Sequence, residues 1–285
     1  MKASFKQRKF GIMLASGAAF LLASGLASAG LDNSKHDFGV GGTGSVFTPF
    51  TGSAEICVFC HTPHGGDTTA PAPLWNRNLI AGSYIRYSSL GTPSFDAAEA
   101  PIGSISLACL SCHDGTQAMN SFINAPGSGN PAGTGTWTGT NVDSTTGKMK
   151  VGTAGQFYPY LGEDLSNDHP ISMQYGGGNI NASNANTVVA TKDTDFAQPV
   201  VGPVATNSTV NYKLSSNNKH IWWVEANATS GLTKTDIPLY TRNDLTSDQP
   251  FVECASCHDP HNTTNGTFLR TTNAGSALCL TCHIK

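Results

Sequence analysis

The sequence predicts a fold with little regular secondary structure, mostly loops with short helices and a few short strands, built around four copies of one short motif. Charged residues make up only 12% of the 285 residues, and the chain contains 31 glycines and 15 prolines. Stretches rich in Gly and Pro are typical of turns and surface loops. Only 187–191, 200–204 and 221–224 show the alternating or β-branched pattern of strands. We therefore expect groups attached at the repeated motif to supply much of the core.

The repeated motif is Cys-x-x-Cys-His, and its four copies use all 8 cysteines. Two cysteines three residues apart share one face of a helical turn, so both thiols can bond to one haem while the next imidazole binds the iron. Zinc knuckles, disulfides and thioredoxin-like pairs also use Cys-x-x-Cys, but none of them requires a histidine after each second cysteine. The sequence thus predicts four covalently bound haem c groups and a haem-organised multihaem cytochrome c fold. The attachment cysteines are Cys57, Cys60, Cys109, Cys112, Cys254, Cys257, Cys279 and Cys282, and the proximal iron ligands are His61, His113, His258 and His283.

Residues 1–29 have the features of a secretory signal peptide. Four basic residues precede an apolar run, and Ala27-Ser28-Ala29 has the small residues of a cleavage site. The mature chain would then carry 12 basic and 19 acidic residues, a net charge of about −7. This charge argues against a nucleic-acid partner, and no later stretch is long and apolar enough to span a membrane. We therefore expect an exported protein with no membrane span in the mature chain.

The mature chain, 30–285, is predicted to form a single domain. Its segments are an N-terminal arm at 30–54, the region of the first two haems at 55–119, a Gly/Thr/Asn-rich insert at 120–251 and the region of the last two haems at 252–285. Between the first two motifs, Trp75 could pack on a porphyrin face and Arg77 could pair with a propionate. Ordinary core and surface roles are equally open for both residues.

Five histidines remain once the proximal ligands are assigned: His36, His64, His169, His220 and His261. Four irons need four distal ligands, so histidine could ligate every haem on both sides. His64 and His261 each follow a proximal histidine by three residues across a proline, a step of roughly 10 Å that favours the iron of a neighbouring haem. Ligation by two histidines gives haems of low potential with no open iron position. We therefore expect an electron-transfer protein rather than an enzyme, with Met119, Met149 and Met173 as alternative ligands.

Several segments resemble the exported tetrahaem c-type cytochromes of metal-reducing bacteria that polymerise into extracellular filaments, or nanowires. The segments are Lys35-His36-Asp37, Cys57-Val-Phe-Cys-His-Thr-Pro-His64, Leu74-Trp75-Asn76-Arg77, Asn167-Asp168-His169-Pro170 and Cys254-Ala-Ser-Cys-His-Asp-Pro-His261. They cover both ends of the mature chain, whereas the insert matches only around His169. By position, the resemblance implies that the distal ligands are His36, His64, His169 and His261, with His220 left over. It also implies a continuous stack of haems with two histidine ligands each.

The resemblance implies a conductive homopolymer with head-to-tail contacts, in which one subunit donates a histidine to a haem of the next. Contacts of this kind give open filaments when they do not close into rings. We expect His36 on the N-terminal arm to be the donated ligand, and redox proteins and extracellular electron acceptors to be the partners. The expected location is the outer cell surface or an extracellular filament, with the periplasm as the alternative. A monomeric periplasmic electron shuttle and a multihaem oxidoreductase are the alternative functions.

Overall fold

The structure is a computed structural model and describes residues 30–40, 50–80, 82–125, 135–151, 159–245 and 248–284. The predicted signal peptide at 1–29 lies outside these ranges. Within them, none of the helices has the length and apolar character needed to cross a membrane.

Helical structure is short and concentrated at the cysteine motifs. The helices are α1 (Ser104–His113), α2 (Cys254–Cys257) and α3 (Ala277–Cys282), and the first motif begins in a 3-10 turn at Cys57–Phe59. Further 3-10 turns are Tyr87–Leu90, Tyr175–Gly177, Gly266–Phe268 and Ala274–Ser276. Helix α1 buries Leu107 and Leu110. Its end is followed by Gly115 at φ 70°, a left-handed conformation that glycine adopts without steric cost and that commonly stops helices.

A six-stranded mixed sheet, curled into a half-barrel, is the largest regular element. Its strands are β1 (Met173–Gln174), β2 (Gln198–Pro199), β3 (Thr209–Leu214), β4 (His220–Val224), β5 (Ile237–Arg242) and β6 (Gln249–Val252). The strand order is β1-β6-β5-β4-β3-β2. Strands β2 and β3 run parallel, and all other neighbours run antiparallel.

The two tryptophans of β4 bury opposite faces of the sheet, because side chains alternate along a strand. Trp222 lies opposite Tyr212 and Leu239 and belongs to the apolar core on one face. Trp223 lies opposite Asn211 on β3 and has no exposed surface. Full burial of large apolar side chains stabilises the fold by roughly 2–3 kcal/mol each, so both faces of β4 contribute to stability.

A second, aromatic core surrounds the first two cysteine motifs. Phe50, Phe59 and Trp137 are buried together, and their rings meet at centroid distances of 4.9–5.9 Å. Met119 and Met149 pack in the same cluster. These two methionines therefore serve as core residues.

The predicted fold class was wrong. The insert at 120–251, interpreted as mostly surface loops, supplies nearly the whole six-stranded sheet and its apolar core. Of the three predicted strands, 221–224 is found within β4, whereas 187–191 and 200–204 form no strand. The fold is thus organised by a protein core as well as by the cysteine motifs.

Candidate functional site

Each cysteine motif lies on a short helical turn. In three motifs the amide N–H of the histidine donates to the carbonyl of the first cysteine: His61 to Cys57 at 2.8 Å, His258 to Cys254 at 3.1 Å and His283 to Cys279 at 2.8 Å. The second motif forms the last turn of α1. A turn of this kind puts both thiols on one face beside the imidazole, as attachment of a haem requires.

Three proximal imidazoles are oriented by a backbone carbonyl. Nδ1 of His61 lies 2.7 Å from the Pro73 carbonyl oxygen, and Nδ1 of His113 lies 2.7 Å from that of Pro159. Nδ1 of His258 lies 2.8 Å from the Thr267 carbonyl oxygen. A carbonyl oxygen only accepts, so Nδ1 carries the proton and Nε2 keeps its lone pair for a metal. Histidines that bind metals in proteins are held in this way.

An extended segment from elsewhere in the chain docks against each motif histidine. Isolated antiparallel bridges join His61 to Trp75, His258 to Leu269 and His283 to Phe196, and the Leu161 amide donates to the His113 carbonyl at 2.8 Å. In the first three motifs, the docked segment also supplies the carbonyl for Nδ1. These docking segments could not be predicted from the sequence. They act through backbone carbonyl groups, which every residue type has.

Two pairs of imidazoles lie at the separation expected of two ligands of one iron. The ring centroids of His36 and His113 are 6.1 Å apart, and those of His61 and His261 are also 6.1 Å apart. Two metal–nitrogen bonds of roughly 2 Å each separate the ring centres of two imidazoles on one metal by roughly 6 Å. The two pairs therefore fit the two axial positions of a haem iron.

His36 is enclosed by groups of its own chain. Its ring stacks on Phe268 at 4.4 Å. Burial, together with the nearby imidazoles of His113, His258 and His261, lowers the pKa of His36 to about 3. The N-terminal arm thus carries His36 into the region between the second and third motifs.

The remaining histidines have different surroundings. His64 and His169 are exposed, and within the described ranges neither makes a ring contact with a proximal histidine. His220 stacks on Trp222 at 5.5 Å, on the sheet. The His283 ring lies 4.4 Å from Phe196. The structure therefore places two of the four predicted distal histidines, His36 and His261, next to a proximal histidine.

The thiols of successive motifs are neighbours. Burial, together with a nearby thiol of the adjacent motif, raises the pKa of Cys60 and of Cys282 to about 12. A hydrogen bond to Cys254 raises the pKa of Cys109. The neighbouring pairs are Cys60 with Cys112, Cys109 with Cys254, and Cys282 with Cys257. Each motif therefore has a thiol close to a thiol of the next motif in the chain.

Three buried donors near the first two motifs have no partner within the described part of the chain. They are the Nε1 atom of Trp75, whose ring lies 5.9 Å from His61, the Nε2 atom of Gln117 and the Nε1 atom of Trp137 in the aromatic core. Buried N–H groups normally find an acceptor, and the carboxylates of a haem would supply one. The thiols, the imidazole pairs and these donors together fit covalently attached haem.

Arg77 is not placed to pair with a haem propionate. Its side chain is fully buried and donates to the Met119 carbonyl at 2.6 Å and to the Ser111 carbonyl at 2.8 Å. Trp75 lies edge-on to the His61 ring, at an interplanar angle of 85°. Both residues therefore act in the scaffold of the first motif.

One protein family, described as a doubled CXXCH motif, matches residues 249–285. The match covers the third and fourth cysteine motifs. No curated protein matches the chain. The doubled motif indicates covalently bound c-type haem and points to haem-based electron transfer in a multihaem cytochrome. Haems at the first two motifs stay a prediction.

Proposed function

We propose that the chain is an exported tetrahaem c-type cytochrome that passes electrons along its haems in chain order. The observation that carries the proposal is that successive motifs lie side by side. Asn76 donates to the Cys60 carbonyl at 2.9 Å and Arg77 to the Ser111 carbonyl at 2.8 Å, which joins the first two motifs. The Cys254 amide donates to the Ser106 hydroxyl of α1 at 2.9 Å, which joins the second and third motifs, and the Cys257 and Cys282 thiols are neighbours. When bound, each haem supplies an iron that takes up and releases one electron. The residues hold these groups close together and orient the ligands.

The proposed axial ligands follow from the imidazole pairs. His61 and His261 serve the haem of the first motif, and His113 and His36 serve that of the second. His64 and His169 stay predicted distal ligands for the other two haems. With two histidines on every iron, no coordination position is open for a substrate, so we propose electron transfer without catalysis.

Assembly into an extracellular conductive filament is the finer part of the proposal. It is supported by the resemblance of both ends of the chain to filament-forming cytochromes and by a surface poor in charge. Donation of His36 to a neighbouring subunit stays a prediction. Its ring lies 6.1 Å from His113 of the same chain, which favours a ligand role within the chain.

Two measurements on the native exported protein test the proposal. The proposal predicts sharp absorption bands of a reduced c-type cytochrome, fully low-spin haem, and filaments in negative-stain microscopy. Single particles with the same spectrum would favour the periplasmic shuttle. A high-spin signal in the resting protein, with binding of a small ligand, would favour an enzyme. Absence of covalent haem would contradict the proposal as a whole.

A further inference from the structure

Arg77 is a buried cation surrounded by neutral acceptors. Its Nε donates to the Ser111 hydroxyl at 3.2 Å, Nη1 to the Met119 carbonyl at 2.6 Å, and Nη2 to the Ser111 and Ala118 carbonyls at 2.8 and 2.9 Å. These bonds occupy all but one of the guanidinium N–H groups.

No carboxylate neutralises this charge. All Asp and Glu residues lie in the described ranges, and none of them forms an ion pair with Arg77. Buried arginines are normally paired with an acid. An unpaired guanidinium in the interior therefore leaves a full positive charge acting on whatever lies nearby.

The first and second cysteine motifs lie on either side of Arg77. The preceding residue, Asn76, donates its N–H to the Cys60 carbonyl at 2.9 Å. Burial raises the pKa of Cys60, and the Arg77 charge acts on that thiol in the opposite direction. Ser111, which accepts from Arg77, lies between Cys109 and Cys112 in the second motif. The charge is thus close to both attachment sites.

The cations beside the third motif are paired with carboxylates. Arg270 donates to the Ala255 carbonyl at 2.9 Å and lies 3.8 Å from Asp259. Arg242 pairs with Glu253 at 2.9 Å and with Asp244 at 2.8 Å. Arg77 differs from both of them because it has no carboxylate partner.

We propose that the Arg77 charge raises the reduction potentials of the haems at the first two motifs. An added electron is attracted by a nearby positive charge, and the attraction is weakly screened in the interior. This inference rests on the proposed function, because it requires haems at the first two motifs.

The test is a spectroelectrochemical titration of the purified holoprotein, after its haem content per chain has been measured. Arg77→Gln removes the charge, and Arg77→Lys keeps the charge but loses the fork of donors. We expect the high-potential part of the titration to move to lower potential in R77Q and to stay in place in R77K. Lys219→Gln is the matched control, because Lys219 is a cation with a 66% exposed side chain in the turn between β3 and β4, and its charge is screened.

Asp114→Asn gives an independent measurement of opposite sign, which keeps the inference testable if R77Q does not fold. Asp114 directly follows His113, is buried and accepts from the Tyr84 hydroxyl at 2.7 Å. The substitution removes this anion and is expected to raise the potential of the second haem. The inference is overturned if R77Q or D114N has full haem content and an unmoved titration, or if R77K shifts as far as R77Q. Absence of haem at the first two motifs would overturn the proposed function as well, and the haem content detects it before the titration.

Discussion

Three of the proximal histidines have their imidazole rings oriented for metal binding. His61, His113 and His258 each have their Nδ1 atom fixed by a carbonyl oxygen. The sequence predicts these three histidines from their position after Cys-x-x-Cys. It carries no sign of the acceptors, because any residue type can supply a carbonyl.

Removal of a distal histidine tests the imidazole pairs. In His36→Ala and in His261→Ala, we expect one haem per chain to become high-spin, because its iron loses one of two strong nitrogen ligands. The spin state is measured by electron paramagnetic resonance of the oxidised protein. His220→Ala is the control and should leave the spectrum unchanged, since His220 stacks on Trp222 on the sheet.

The same spectra separate a ligand role within the chain from donation between subunits. If His36 binds a haem of its own chain, dissociated monomers of the unaltered protein are fully low-spin. A high-spin haem in those monomers, absent from filaments, would show that the ligand comes from a neighbour. A low-spin spectrum in H36A monomers would contradict the pairing with His113.

At the scale of elements, the short helices follow from the motif spacing, but the packing between them does not. Glu253 caps the N-terminus of α2 with a reciprocal bond to Ser256. Its carboxylate also accepts from Ser106 of α1, from Ser172 and from Arg242 of β5. The partners are far from Glu253 in sequence, so only the fold brings them together.

Loss of this buried carboxylate should destabilise the protein strongly. Glu253→Ala leaves the Arg242 guanidinium without a buried partner, and such a change lowers the free energy of unfolding by roughly 3–5 kcal/mol. The measurement is chemical denaturation of the holoprotein followed by circular dichroism. Asp248→Ala is the control, because the Lys219–Asp248 pair at 3.3 Å is largely exposed, and loss of such pairs costs about 0–1 kcal/mol. Equal effects of the two substitutions would contradict the structural role of Glu253.

At the scale of the whole molecule, the sheet is the feature that sequence reasoning missed. Its edge strands β1 and β2 have two residues each, and prolines occur in β5 and β6 at Pro238 and Pro250. Proline is unusual inside strands and weakens a strand prediction. The pairing that makes the sheet is long-range, and the Gly- and Thr-rich loops between its strands mask the alternation.

The sheet core is expected to be a main source of stability. Trp223→Ala should lower the free energy of unfolding by roughly 3–5 kcal/mol, because it leaves a large cavity in a fully buried face. Leu214→Ala on β3 is the control: Leu214 is 56% exposed, and surface substitutions change stability by about 0.5 kcal/mol or less. Denaturation of both variants measures the difference, and a small effect of W223A would contradict a sheet-centred core.

The central claim is that all four cysteine motifs carry covalent haem, so that four neighbouring haems serve as the electron carriers. Intact mass spectrometry of the denatured exported protein, with alkylation of any free thiol, tests it most directly. The account predicts the mass of the mature chain plus four haems and no alkylated cysteine. Haem confined to the third and fourth motifs, with alkylation of Cys57, Cys60, Cys109 and Cys112, would contradict it.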